Sequence, residues 1–266
     1  AAGDVRRLCL NMLAQGVGAE PLTQFISALN DALTRRVLQL NLENHNFDGI
    51  EWCWLAFGSE GRDDQTFVTD QDHGIVFACD DNAAVDSLRQ RFLPFALDVN
   101  KDLDRCGFTL CKGNIMASNP QWCLTLDEWK EQFSTWIRVP QPEALLNATI
   151  FFDFRPLFGK FELAESLRRH LLIQTQSSPM FLKAMAHNAL DVEPPLGKIR
   201  DFLTDLEPGY PGKIDLKKYG SRIFVDVARI YALSTGVHNS NTVQRLRLAS
   251  QRLSIRTDEI NAVLEG

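Results

Sequence analysis

From its start the chain repeats apolar positions with the period of a helix. Val5, Leu8, Cys9, Met12 and Leu13 predict a helix over residues 4–16. Pro21 suits a first helical position, and Leu22, Phe25, Ile26, Leu29, Leu33, Val37 and Leu40 form a stripe predicting a second helix over 21–44. The pattern then changes. Trp52-Cys53-Trp54-Leu55-Ala56-Phe57 is short and almost wholly apolar, which predicts a buried strand, and Ile75-Val76-Phe77-Ala78 predicts another. Helical spacing returns with Val85, Leu88, Phe92, Ala96, Val99 and Leu103, with a kink expected at Pro94 and a stop at Gly107. Phe108-Thr109-Leu110-Cys111 reads as a third strand. Thr125 and Glu128 form a capping box ahead of Trp129, Phe133, Trp136 and Ile137, a stripe read as core rather than as a platform for stacking bases.

From Pro142 onward the pattern is mostly helical. Asp153 falls in the apolar row Leu146, Ile150, Leu157, where a carboxylate is costly unless paired, hydrogen-bonded or ligating a metal. Residues two apart do not face each other on a helix, so Asp153 and Arg155 are expected to have separate partners. Pro156 and Gly159 are expected to break this helix. More helices are predicted over 161–174, from Ser178-Pro179 to residue 190, along Ile223, Val227, Ile230 and Leu233 with Gly236 as C-cap, and behind Thr242 and Thr257. Residues 194–212, rich in Pro and Gly, read as a long ordered loop or a short hairpin. The whole predicts an α+β fold divided near Pro140. Residues 1–140 form a mixed α/β domain with N-terminal helices, and residues 141–266 a helical bundle.

Between the first two strands lies a polar loop, Gly58-Ser59-Glu60-Gly61-Arg62-Asp63-Asp64-Gln65-Thr66-Phe67-Val68-Thr69-Asp70-Gln71-Asp72-His73-Gly74. A strand that stops at Gly-Ser leaves backbone N–H groups free to cradle a phosphate. Asp70 and Asp72, two apart at the start of a strand, point to one face. Two carboxylates beside a phosphate-binding turn suit Mg²⁺ or Mn²⁺ and a nucleoside triphosphate. A lone Asp-x-Asp more often marks a solvated strand end. His73 offers itself as a base but reads more readily as structural.

The Gly-Ser turn followed by Asp-x-Asp, with strands on both sides, resembles the signature of the polymerase-beta-like nucleotidyltransferase superfamily. The longer string through Thr69-Asp70-Gln71-Asp72 is similar to one branch, the nucleotidyltransferase domain of bacterial signalling proteins found downstream of CBS and cyclic-nucleotide-binding domains. That branch is itself similar to the PII uridylyltransferases. The resemblance extends to Asn114–Trp122, to Asp153-Phe154-Arg155 and to Asp215-Leu216-Lys217. It implies a polymerase-beta-like mixed sheet, catalytic Asp70, Asp72 and Asp153, and metal held by Asp70 and Asp72. It also implies phosphate contacts from Gly58, Ser59, Arg62, Gln65, Arg155 and Lys217, with the helical half binding the substrate. Read on residues alone, Asp153 and Arg155 fit an internal salt-bridge network equally well, and Lys217 fits a solvated helix start. The superfamily pattern asks for a third carboxylate on a later strand, where this chain has Cys111-Lys112-Gly113-Asn114.

Composition narrows the classes. At 266 residues, 45% hydrophobic and 23% charged, the chain suits an ordinary globular protein of one large domain or two modest ones. A net charge of −6 argues against a broad nucleic-acid surface while leaving room for a small triphosphate pocket. Six cysteines show no Cys-x-x-Cys pair or zinc spacing and read as free thiols in a reducing cytoplasm. No run is long enough to span a bilayer, and no signal peptide is recognisable. Ala1-Ala2-Gly3 reads as an expression remnant, and the chain as a piece of a longer protein in which CBS or cyclic-nucleotide-binding domains are plausible partners. Three functions are expected in descending order. The first is a metal-dependent nucleotidyltransferase acting on a protein or small-molecule acceptor in signalling. The second is a nucleotide-sensing module of the same fold without transfer. The third is a scaffold.

Overall fold

The computed structural model describes residues 2–68, 70–192, 195 and 212–265. In chain order the elements are α1 (Ala2–Ala14), α2 (Ala19–Leu42), β1 (Trp52–Ala56), the single turn α3 (Gly58–Gly61), β2 (His73–Phe77), α4 (Val85–Cys106), β3 (Cys123–Thr125), α5 (Leu126–Arg138), α6 (Pro142–Phe151), β4 (Arg155–Gly159), α7 (Phe161–Gln176), α8 (Pro179–Leu190), α9 (Arg222–Thr235), α10 (Thr242–Leu253) and α11 (Thr257–Glu265). The fold is α+β, a small mixed sheet with flanking helices followed by a helical C-terminal region. Residues up to Thr135 together with Asn147–Leu171 form one compact unit. Trp136–Leu146 and the described residues from Leu172 onward form the other. No described helix is long and apolar enough to cross a membrane.

The strand order in the first unit is β3-β2-β1-β4. β1 pairs antiparallel with β2, Trp54 opposite Ile75 and Ala56 opposite His73, and antiparallel with β4 on its other side. β3 joins β2 in parallel, Ile75 opposite Cys123. Every residue of β1 and β2 is buried, as the apolar runs Trp52–Ala56 and Ile75–Phe77 require, and His73 is buried with them. Trp52, Trp54, Ile75 and Phe77 share a core with Val37 and Leu38 of α2 and with Phe92, Phe95 and Val99 of α4. A second aromatic group surrounds Trp129 of α5, with Phe57 at 5.7 Å and Phe133 at 5.7 Å between ring centroids. The Trp129 indole N–H donates to the Ile75 carbonyl at 2.9 Å, so the tryptophan stripe is core. The capping box forms as read: the Thr125 N–H donates to Glu128 Oε2 at 2.7 Å and the Glu128 N–H to Thr125 Oγ1 at 3.1 Å.

Three local readings are corrected. The helix from Pro142 stops at Phe151, and Arg155–Gly159, read as its broken end, is a strand. Its proline is tolerated because β4 lies at the edge of the sheet, and the register shifts where Pro156 faces Leu55. Asp153 therefore lies between helix and strand, outside any helical row. The third strand expected over 108–111 is reduced to an isolated parallel bridge, Asp70 with Thr109. The strand that joins the sheet is Cys123–Thr125, too short for its periodicity to show. Asn241 rather than Thr242 caps α10, accepting from the Gln244 N–H at 3.1 Å.

In the second unit α9 packs between α8 and α10. Ala232, Val237 and Ala249 form its small core, and Gly236 ends α9 in the left-handed conformation. Arg229 and Asp226, both buried, pair at 2.5 Å. Of the loop expected over 194–212, all but residues 195 and 212 lie outside the described residues.

Replacing Trp129 by Ala removes a buried ring and leaves the Ile75 carbonyl without its donor. Urea unfolding should show a loss of about 3–5 kcal/mol. A loss below about 1 kcal/mol would contradict the assignment of this stripe to the core.

Candidate active site

The loop after β1 is set by backbone constraints before any side chain acts. α3 begins at Gly58 with Phe57 as its N-cap, and Phe57 has no side chain able to cap it. The leading N–H groups of this turn are thus left to other partners. The Phe57 N–H donates to the Asp72 carbonyl at 2.9 Å, which holds the start of α3 against the residues leading into β2. Gly58 has φ +56°, and a Cβ there would sit 3.1 Å from Asp72 Oδ2. Only glycine meets both conditions without strain. At Gly61 a Cβ would collide with the carbonyl oxygen of Asp153, so the chain crossing behind α3 requires the second glycine of the motif.

Asp70 is exposed and Asp72 is half-buried. Between them Gln71 is wholly buried, and its amide donates to the carbonyls of Asn100 and Phe108, both at 2.9 Å. The Asn100 amide donates back to Gln71 Oε1 at 2.7 Å. Gln71 was not singled out from the sequence, although alternation could have found it: an amide turned to the core puts its two neighbouring carboxylates on the opposite face. The bridge of Asp70 with Thr109 sets a parallel register that brings Cys111 beside Asp72. The Cys111 thiol lies beside that carboxylate, and burial pushes the thiol up from its ordinary value. Burial also raises the Asp72 carboxyl, with the neighbouring thiol opposing the rise and the Asp70 charge adding to it.

A desolvated carboxylate facing a second carboxylate fits a divalent cation, which takes its other ligands from substrate phosphates and water. Among the described residues no three or more His, Cys, Asp or Glu side chains are gathered as a metal site. The fit is therefore to a pair of carboxylates, Asp70 and Asp72, with a thiol alongside.

The remaining candidates divide. Asp153 is buried, and its Oδ2 lies 2.7 Å from Arg62 Nη1; Arg62 Nε also donates to Asp64 at 3.0 Å. Arg155 forms a two-toothed pair with Asp31 of α2 at 2.8 and 2.6 Å, reaches Asp63 at 2.9 Å, and donates from Nε to the Glu60 carbonyl at 2.9 Å. Asp153 and Arg155 do have separate partners, both in a network that fixes the loop. Gln65 is buried and turned toward α2, accepting from the Asn30 amide at 3.2 Å, with its own N–H directed to Ser27 Oγ at 3.4 Å. Ser59 is half-buried, its carbonyl accepting from the Asp64 N–H at 2.9 Å. Lys217 opens a π-helical turn in the second unit with its side chain exposed. His73 is wholly buried, with Nε2 at 2.9 Å from Glu60 Oε2. All six cysteines are free.

Residues 3–143 match the family model described as "Putative nucleotidyltransferase DUF294", and residues 179–266 match the model described as "Putative nucleotidyltransferase substrate binding domain". A search of curated proteins found no match.

The folded chain holds the Asp72 proton to higher pH than the unfolded chain, whose reference value is 3.8. Ionising Asp72 therefore costs stability as pH rises above that value. Asp72→Asn should raise the stability of the metal-free protein at pH 7, and the gain should shrink as pH falls toward 4. Thermal unfolding across that range checks it; a destabilised variant at pH 7 would contradict the burial argument.

Proposed function

This chain belongs to the family described as "Putative nucleotidyltransferase DUF294", and from that premise we propose that it transfers a nucleoside monophosphate from a nucleoside triphosphate to an acceptor. The observation that supports this most is the placement of Asp72. Its desolvated carboxylate lies against Gly58, at an uncapped backbone turn, with Asp70 two residues before it. Asp70 and Asp72 would hold Mg²⁺ or Mn²⁺, and the open N–H groups of Gly58 and Ser59 would receive the phosphates. When bound, the metal supplies Lewis acidity at the α-phosphate and at the attacking hydroxyl. Arg62 and Arg155 act as supports of the loop in this reading, since both are engaged with carboxylates. The second unit would select a protein or small-molecule acceptor in signalling.

A second reading, nucleotide sensing without transfer, is favoured by one observation. The position beside Asp72 is filled by the Cys111 thiol, and no third carboxylate joins the pair among the described residues.

Incubation with each α-labelled nucleoside triphosphate, Mg²⁺ or Mn²⁺ and cell extract separates the two. Transfer predicts labelled acceptor, reduced by more than about 100-fold in Asp70→Asn and in Asp72→Asn, because even outer-shell partners of metal ligands are worth about 10–100-fold. Metal-dependent binding without label would favour sensing. A folded wild type that binds no nucleotide would overturn both.

A further inference from the structure

Beneath the proposed metal site lies a buried pair that the chemistry does not use. Glu60 and His73 are 1% and 0% exposed, and their side chains meet at 2.9 Å. Glu60 belongs to α3, whose turn would receive phosphate. His73 directly follows Asp72 and opens β2, opposite Ala56 of β1. The pair therefore spans the two segments whose separation defines the site. The Phe57–Asp72 backbone bond also spans them, and Arg155 anchors the Glu60 carbonyl.

Stability does not explain the pair. Glu60 Oε1 and His73 Nδ1 are buried without a hydrogen-bond partner, as is Nε1 of Trp54, whose ring centroid is 5.3 Å from that of His73. Apolar residues of similar volume commonly replace a buried polar pair without loss of stability. A sequence shaped for stability alone would place such residues here, in a sheet otherwise packed with Phe, Trp and Ile. What apolar residues cannot supply is a directional bond between α3 and the residue next to Asp72.

We propose that Glu60 and His73 are positioning residues, a strut that fixes the distance between the α3 turn and Asp72 and thereby sets the metal affinity of the Asp70–Asp72 site. The proposal rests on the metal reading above.

The test uses the full chain, with Mn²⁺ titration followed by electron paramagnetic resonance and amide exchange measured without metal. In Glu60→Met/His73→Leu the melting temperature should hold or rise, Mn²⁺ affinity should fall about 10–100-fold, as for other outer-shell partners, and the Phe57 amide should exchange faster. Glu60→Gln, which keeps a hydrogen bond to His73, should recover most of the affinity. Should the double variant fail to fold, Glu60→Asp carries the test, because its shortened side chain withdraws from His73 and should weaken Mn²⁺ in the same direction. Unchanged affinity in a folded double variant, or in Glu60→Asp, would overturn the strut. So would a double variant that loses stability and keeps wild-type affinity, the behaviour of a purely structural pair. If the wild type binds no Mn²⁺, the metal reading fails, and an unchanged Phe57 exchange rate in the double variant would then reject the strut separately.

Discussion

The ion pair between Arg155 and Asp31 is the contact on which the geometry of the first unit depends. Asp31 belongs to α2 and is almost fully buried, and Arg155 opens the edge strand β4. Their two hydrogen bonds tie a helix to a strand 124 residues later in the chain. The same guanidinium holds Asp63 and the Glu60 carbonyl, so the loop between β1 and β2 is fastened from beneath. Breaking a buried pair of this kind by removing one partner typically costs about 3–5 kcal/mol, because the other charge is left without compensation. Arg62 repeats the device with Asp153, from the other end of the α6–β4 connection. The loop is fastened there through Arg62, Asp63 and the Glu60 carbonyl, and again through Gln71, which is held to the core between Asp70 and Asp72.

This arrangement separates support from chemistry. The charged residues clustered after Gly-Ser form two groups. One group, with Arg62, Asp64, Asp153, Asp31, Asp63 and Arg155, satisfies itself internally. The other is Asp70 and Asp72, which among the described residues pair with no arginine or lysine. A carboxylate that burial destabilises and no arginine neutralises is suited to a cation supplied from outside. The glycines make this possible, since Gly58 lets Asp72 approach the turn and Gly61 lets the Asp153 backbone cross behind it.

Much of this was legible in the residues because local signals agreed with the global fold. The apolar runs of β1 and β2, the stripe of α2, and the Thr125–Glu128 box each state a structure that packing did not overrule. The Gly-Ser turn and the Asp-x-Asp pair were found by their spacing. What escaped detection depended on partners far along the chain. Arg155-Pro156-Leu157 reads as a broken helix until the free edge of β1 is known to receive it. Cys123–Thr125 is too short to show a period. Gln65 and Arg155 look like phosphate ligands in a motif, and only their contacts with α2 show where they turn. Gln71 could have been found only from the alternation of the carboxylates on either side of it, and Glu60 gave no signal, because a buried acid inside a polar loop is indistinguishable from its solvated neighbours.

Anomalous diffraction at the manganese edge, from crystals grown with Mn²⁺ and a non-hydrolysable nucleoside triphosphate, decides whether Asp70 and Asp72 hold a divalent metal at the Gly58–Ser59 turn. The expected result is a peak within coordination distance of both carboxylates, with phosphate oxygens reaching the N–H groups of Gly58 and Ser59. A nucleotide bound with its metal elsewhere, or a peak that persists unchanged in Asp72→Asn, would contradict it.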